Sequence, residues 1–177
     1  MNVTAIVQAR SNSKRLKNKM FVELGKHKVL EWVLYRLKKN KKINKFIVAT
    51  SNKEEKYIFK LAKKYKYKIF QGSEKDVLSR YYLCAKKYKS NIIIRICADN
   101  PFVDPEIINN LIYFFNKKKI DYACNTMQID NNANSDGFGA EIFNFKTLKK
   151  AYTLAKSKTD REHVTKIIRK KKFLFKS

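Results

Sequence analysis

Glycine and proline are scarce in this chain, with four and two among 177 residues. No Pro- or Gly-rich linker interrupts it and no internal repeat of motif length appears, so residues 1–177 read as one domain, long enough to bury a sizeable core. The glycine-rich phosphate loops are missing as well. Neither GxxxxGK(S/T) nor GxGxxG occurs, which excludes the P-loop and the dinucleotide-binding fingerprint. Cysteine is limited to Cys84, Cys97 and Cys124, without CxxC spacing or a neighbouring histidine. That pattern argues against a zinc site and for reduced thiols in the core. No apolar run approaches the length of a membrane span, and the first residues lead into a strand pattern without a signal-peptide core. The expectation is a cytoplasmic protein with no membrane partner.

Negative charge is the next shortage. Lys and Arg number 41 against 15 Asp and Glu, a formal net charge of +26 and a pI near 10.0. Such a balance suggests a polyanion as partner. Its composition and distribution suggest otherwise. Only seven of the cations are Arg, the residue that phosphate and base recognition favours, and the lysines are spread along the whole chain. Pairs such as Lys38-Lys39, Lys63-Lys64 and Lys86-Lys87 fall near the ends of expected helices, where cations suit the helix dipole. Abundant Lys, Asn and Ile are what an AT-rich coding sequence produces. No specific nucleic-acid partner is expected, although a polyanion-binding role stays open.

What is present is an alternation of strand and helix patterns. Strands are expected at Val3 to Val7, Lys45 to Thr50, Lys68 to Phe70, Ile92 to Ile96, Tyr122 to Cys124 and Ala140 to Phe145. Helices are expected from about Lys28 to Asn40, around Tyr57 to Tyr65, Val77 to Tyr88, from Pro105 through Phe115, and from Lys146 to Ala155. Ser73 is placed as the N-cap of the third helix, with Asp76 in the capping-box position. The sum is an α/β protein of three layers around a mostly parallel sheet. Ligands of such sheets bind at the carboxyl ends of the strands. The polar segments that follow strands are Arg10 to Lys19, Thr50-Ser51-Asn52, Gln71-Gly72-Ser73 and Asp99-Asn100-Pro101, and all four should share one edge.

Two of these segments can carry chemistry. After the first strand, Gln8-Ala9-Arg10-Ser11-Asn12-Ser13-Lys14-Arg15-Leu16-Lys17-Asn18-Lys19 joins cations to small hydroxyls. Backbone N–H groups and hydroxyls can cradle phosphate oxygens while Arg and Lys neutralise them. The alternative is an ordinary basic loop. Asp99 follows the most apolar strand, where a carboxylate could hold Mg²⁺ against a triphosphate; the alternative is an Asp capping a turn before Pro101. Glu141 could be a second metal ligand or a sugar contact, or an inward strand carboxylate paired with Lys or Arg. Asp76 and Arg80 have the spacing of a helical ion pair. His163 could touch a sugar or be structural, His27 carries no argument, and Trp32 with most Tyr and Phe reads as core.

The motifs together resemble the sugar-activating cytidylyltransferases, in particular the branch of the spore coat polysaccharide biosynthesis protein F, related to enzymes that activate Kdo and acylneuraminates. The resemblance rests on Gln8-Ala9-Arg10 through Lys19, Phe70-Gln71-Gly72-Ser73 through Tyr82, Arg95-Ile96-Cys97-Ala98-Asp99 through Ile108, Asp136-Gly137-Phe138-Gly139-Ala140-Glu141, and Arg161-Glu162-His163-Val164-Thr165. It implies a nucleotide-diphospho-sugar transferase (Rossmann-like) fold and the reaction of CTP with a sugar, an acidic one by analogy, to give a CMP-sugar and pyrophosphate for surface polysaccharide synthesis. It implies that Gln8, Ala9, Arg10, Ser11, Asn12, Ser13, Arg15, Lys19, Thr50, Ser73 and Arg80 bind the nucleotide. Arg15, Lys19 and Asp99 would be catalytic, Glu141 and His163 would face the sugar, and Asp99 with Glu141 would hold Mg²⁺. A homodimer fits the resemblance. The chain departs from the pattern at Asn12 and Gly139, and at Lys17 where the family has Pro, and it stops early relative to family members. These departures keep an alternative open: a degenerate transferase scaffold that binds polyanions or nucleotides.

Overall fold

Six strands form one sheet in the order β5-β4-β1-β6-β8-β7 in the computed structural model, which describes residues 2–10, 18–51, 56–125 and 137–177. These are β1 (Val3–Gln8), β4 (Lys45–Ser51), β5 (Lys68–Gly72), β6 (Ile92–Cys97), β7 (Tyr122–Cys124) and β8 (Ala140–Asn144). A two-stranded ribbon of β2 (Glu23–Leu24) and β3 (His27–Lys28) stands apart from it. The helices are α1 (Val29–Lys38), α2 (Lys56–Lys64), α3 (Val77–Lys87), α4 (Pro105–Lys118), α5 (Phe145–Leu154), α6 (Lys158–Glu162) and α7 (Lys166–Lys170). No described helix is long and apolar enough to cross a membrane.

β5, β4, β1 and β6 are parallel, with Val7 level with Val48 and Ile96. β8 runs against both β6 and β7, so the sheet is mostly but not wholly parallel. The central strands are apolar on both sides because helices cover both faces. Leu30, Leu34, Ile58, Ile108 and Leu111 of α1, α2 and α4 pack on one face. Leu78, Tyr81, Leu148, Ala151 and Ile167 of α3, α5 and α7 pack on the other.

Local chemistry sets the helix starts. Asp104 accepts from the N–H groups of Glu106 and Ile107, ahead of Pro105. Asp76, not Ser73, caps α3: its carboxylate accepts from Ser79 N–H at 2.8 Å, while Ser73 Oγ accepts from Asp76 N–H one step earlier. The helix ends show what glycine scarcity costs. Ala62-Lys63-Lys64-Tyr65-Lys66 and Ala85-Lys86-Lys87-Tyr88-Lys89 repeat the same five residues, and each places its last lysine in the left-handed region, at φ 56° and 50°. The following N–H then reaches back, Tyr67 to Ala62 O and Ser90 to Ala85 O. That closure normally uses Gly.

Trp32 is not a core residue. It is half-buried and donates from its indole nitrogen to Leu24 O, pinning the β2–β3 ribbon to α1.

Candidate active site

The four parallel strands bring the polar segments to one edge, as the topology requires. Gln8 is level with Ala49 and Cys97, and Ser51 with Gly72. Ser11, Asn12, Ser13 and Arg15 lie outside the described residues, as do Lys17, Asn52 and Asp136. Of the described members of the first loop, Ala9 is buried and donates to Ala49 O, and Arg10 faces Glu162 at 3.9 Å. Lys19 opens a short 3-10 turn and reaches across 80 residues to Asp99, Nζ to Oδ2 at 3.2 Å. Both side chains stay about 40% exposed, at 37% and 40%. The loops after β1 and β6 therefore meet through a cation and a carboxylate that remain open to solvent.

The loop carrying Asp99 is fixed from both sides. Asn100, nearly buried, donates from its amide to Gly139 O at 2.6 Å. Arg36 of α1 donates to Val103 O at 2.8 Å and lies 3.9 Å from Asp104. Asp99 is thus presented by a braced loop at the end of the central strand β6.

Glu141 takes the second of the two roles open to it, that of an inward strand carboxylate paired with an arginine. It is buried within a network that crosses four adjacent strands. Its Oε2 pairs with the Arg95 guanidinium on β6. Its Oε1 accepts from Tyr122 OH at 2.7 Å and from Thr165 Oγ at 2.6 Å, and Arg95 also donates to Gln8 Oε1 at 3.2 Å. Burial alone would push the Glu141 carboxyl up, but the Arg95 charge and the three hydrogen bonds outweigh it and hold the group below the usual carboxylate range. Both Glu141 oxygens are thus engaged inside the protein. Among the described residues no group of three His, Cys, Asp or Glu side chains could hold a metal.

Other candidates sort by exposure. Arg80 is fully buried and donates to Ser73 O, so it braces the Ser73 loop from beneath. Gly72 lies against it: a Cβ would sit 3.0 Å from Arg80 Cγ, so the arginine would have to shift to admit a side chain there. Thr50 is buried at the end of β4, and its hydroxyl has no hydrogen-bond partner among the described residues. His163 is exposed at the end of α6. Asp76 is bound by Arg161 through two nitrogens at 2.8 and 2.6 Å, and Arg161 lies over the Tyr152 ring. That pairing joins α6 to the start of α3 and was not visible in the sequence, since the partners are 85 residues apart. The Arg95–Glu141 network had a signal that could have been used: an arginine inside an apolar strand needs a buried counter-ion. A concavity of about 670 Å³ lies beside β7, lined by Phe114, Tyr122, Lys166 and Arg169 among others, and neither Lys19 nor Asp99 borders it.

A mostly parallel six-stranded sheet with its polar loops gathered on the carboxyl edge is the nucleotide-diphospho-sugar transferase architecture. A solved CMP:2-keto-3-deoxy-manno-octonic acid synthetase in complex with CTP shares it, at a TM-score of 0.69 and 14% identity over 89% of this chain and 80% of that one. The cytidylyltransferase family model matches residues 4–177, and the chain belongs to that family. The structure of a cytidylyltransferase from Leptospira borgpetersenii superposes with a TM-score of 0.89 at 29% identity, covering 99% of this chain and 74% of that one. In sequence the chain is 42% identical to an uncharacterized protein of Methanocaldococcus jannaschii over 99% of its own length and 70% of that protein. It is 34% identical to the spore coat polysaccharide biosynthesis protein SpsF of Bacillus subtilis over 63% of its length. It is 29% identical to the 3-deoxy-manno-octulosonate cytidylyltransferase of Fusobacterium nucleatum over 67% of its length. It spans about half of each of these two relatives, 48%.

Proposed function

We propose that the chain transfers a cytidylyl group from CTP to a sugar, giving a CMP-sugar and pyrophosphate, and that the acceptor is a sugar acid. The observation that carries this reading is the Lys19–Asp99 pair, a solvent-open cation and carboxylate at the meeting point of the two loops on the carboxyl edge. The relatives named for CMP-sugar synthesis support the substrate class.

In the reaction the sugar hydroxyl oxygen forms a bond to the α-phosphorus. The bond from that phosphorus to the oxygen bridging to the β-phosphorus breaks, pyrophosphate leaves, and the hydroxyl proton passes to solvent. Little covalent chemistry falls to the protein, so its task is to orient the groups and neutralise charge. Lys19 and Arg10 are placed to meet the triphosphate oxygens, with Arg15 assigned to the same task by its motif. Gln8, held through its carbonyl by Arg95, has its amide N–H groups left to donate among the described residues. Ser73 sits at the mouth of the neighbouring loop, braced by Arg80.

Mg²⁺ fits Asp99. This cation keeps most of its waters and is held by one or two carboxylates plus substrate phosphates, not by a cage of side chains. One half-exposed carboxylate beside a phosphate-binding loop is such a donor set. When bound, the ion would neutralise phosphate charge and polarise the attacked phosphorus.

The test is pyrophosphate release with each of the four ribonucleoside triphosphates, Mg²⁺ and a set of sugar acids, with the product identified by mass. CTP should support turnover and raise the melting temperature well above the shift given by ATP, GTP or UTP, because ligands stabilise only the state they bind. Equal small shifts for all four, with no CMP-sugar formed, would refute the proposal.

A further inference from the structure

The carboxyl edge carries an apolar feature that nucleotide binding leaves unused. Phe102 and Phe138 stack on each other with ring centroids 5.3 Å apart and planes 28° apart. Both are exposed, at 45% and 42%. Phe102 belongs to the loop of Asp99, and Phe138 precedes β8.

The rings are held in place. Phe102 N–H donates to Gly137 O at 3.0 Å. The Asn100 amide donates to Gly139 O at 2.6 Å, and the Asn125 amide to Phe138 O at 3.1 Å. Gly137 has φ +96°, and a Cβ there would lie 3.1 Å from Phe102 Cδ2. A side chain at that position would push against the Phe102 ring, so the glycine permits the approach. Apolar surface fixed in water at the rim of a polar site is the surface a ligand covers.

Sheet order says which ligand. Along the edge, β1 is followed by β6 and then β8. The cationic loop follows β1, Asp99 follows β6, and Phe138 leads into β8. If phosphates lie on the β1 loop, the acceptor comes to the α-phosphorus from the far side of Asp99, where the two rings are. We infer that Phe102 and Phe138 form a platform for the acceptor, taking the face of the sugar that carries C–H or acyl groups instead of hydroxyls. The two rings are then specificity residues: they select by apolar surface and leave nucleotide binding untouched. The inference rests on the cytidylyl-transfer reading above.

Its test uses the full chain, Phe138→Ala and Phe138→Tyr. The acceptors are 3-deoxy-manno-octulosonate, N-acetylneuraminate and galacturonate, each with Mg²⁺ and CTP. Wild type should prefer one of the first two, which carry a deoxy carbon or an acetyl group, over the fully hydroxylated acid. Phe138→Ala should raise KM for that acceptor about tenfold, the size expected for losing one apolar contact surface, with KM for CTP within about twofold. Phe138→Tyr, which keeps the ring, should restore it. An unchanged acceptor KM, a rise in KM for CTP instead, or a preference for galacturonate overturns the platform. If wild type releases no pyrophosphate with any acceptor, the transfer reading has failed, and saturation-transfer NMR with the same three acids decides the platform separately. Signal on the deoxy or acetyl protons that Phe138→Ala abolishes supports it; no signal in wild type overturns it.

Discussion

Glu141→Gln separates a structural carboxylate from a ligand. The substitution keeps the shape and removes the charge that faces Arg95, whose side chain is only 18% exposed. Glutamine has one acceptor oxygen where Glu141 uses two, so its amide nitrogen must face either the Arg95 guanidinium or the Tyr122 and Thr165 hydroxyls. Removing one partner of a buried pair costs about 3–5 kcal/mol. The low end applies, roughly 3 kcal/mol, because Arg95 retains its bond to Gln8. For a chain of this size that corresponds to a fall in melting temperature of about 6–12 °C. Urea titrations at 25 °C measure the free energy, and the same samples are assayed for pyrophosphate release.

The pH dependence gives a second reading of the same experiment. The folded Glu141 carboxyl is held below its unfolded value, so its contribution is fully present above the unfolded pKa of about 4.3 and is lost as pH falls through the folded one. The stability difference between wild type and Glu141→Gln should be flat above about pH 5 and shrink below about pH 4. Replacing Arg95 as well, Arg95→Met with Glu141→Gln, should recover part of the loss, since no charge is then left unpaired while the glutamine oxygen can still accept from Tyr122 and Thr165. A Glu141→Gln protein that loses less than about 1 kcal/mol yet has no activity would refute the reasoning and return Glu141 to the substrate or metal.

Asp99→Asn should leave the melting temperature nearly unchanged, because its ion pair is half-exposed, while turnover falls by roughly 10²-fold; wild-type turnover would make Asp99 a turn residue. Lys66→Gly and Lys89→Gly should each stabilise the protein by about 0.5–1 kcal/mol in urea, because a lysine now occupies the left-handed position; destabilisation would contradict that backbone reading. Binding of a single-stranded oligonucleotide should be independent of sequence and vanish by physiological salt; salt-resistant, sequence-selective binding would favour a nucleic-acid function over an enzyme.

The strands of this fold were legible where burial is two-sided. Ile92-Ile93-Ile94-Arg95-Ile96 and Phe46-Ile47-Val48-Ala49 can hardly be anything else. The direction of β8 was not legible, because alternation specifies which face a residue takes and not which way the strand runs. The β2–β3 ribbon was invisible for another reason. Its strands have two residues each, with no apolar pattern, and it depends on Gly25 at φ 60° and on the Trp32 indole. At the site, Lys19 and Asp99 could be placed on one edge from topology alone. The partners of Asp76 and Glu141 could not be chosen. Spacing offered Arg80 to Asp76, and the carboxylate turned to Arg161, which α6 brings over the start of α3. Ser73 and Asp76 were both plausible caps, and the backbone decided between them.

Carboxylates are few in this chain, and those near the edge are neutralised in two different ways. Arg95–Glu141 and Arg161–Asp76 are well shielded, with side-chain exposures of 18% and 11%, and 24% and 29%. Each also makes further hydrogen bonds that hold helices and strands in register. Lys19–Asp99 and Arg10–Glu162 are open, at 37% and 40%, and 36% and 46%. Exposed pairs contribute little to stability, so a ligand can break them at small cost, whereas separating a buried pair strands a charge. The edge therefore consists of a fixed inner set and an exchangeable outer set. For the transfer proposed above, the exchange has a direction. On that proposal a divalent cation at Asp99 would release Lys19, and phosphates drawn to Lys19 and Arg10 would release Asp99 and Glu162. Metal and nucleotide would each remove the pairing that blocks the other, which is positive coupling between them.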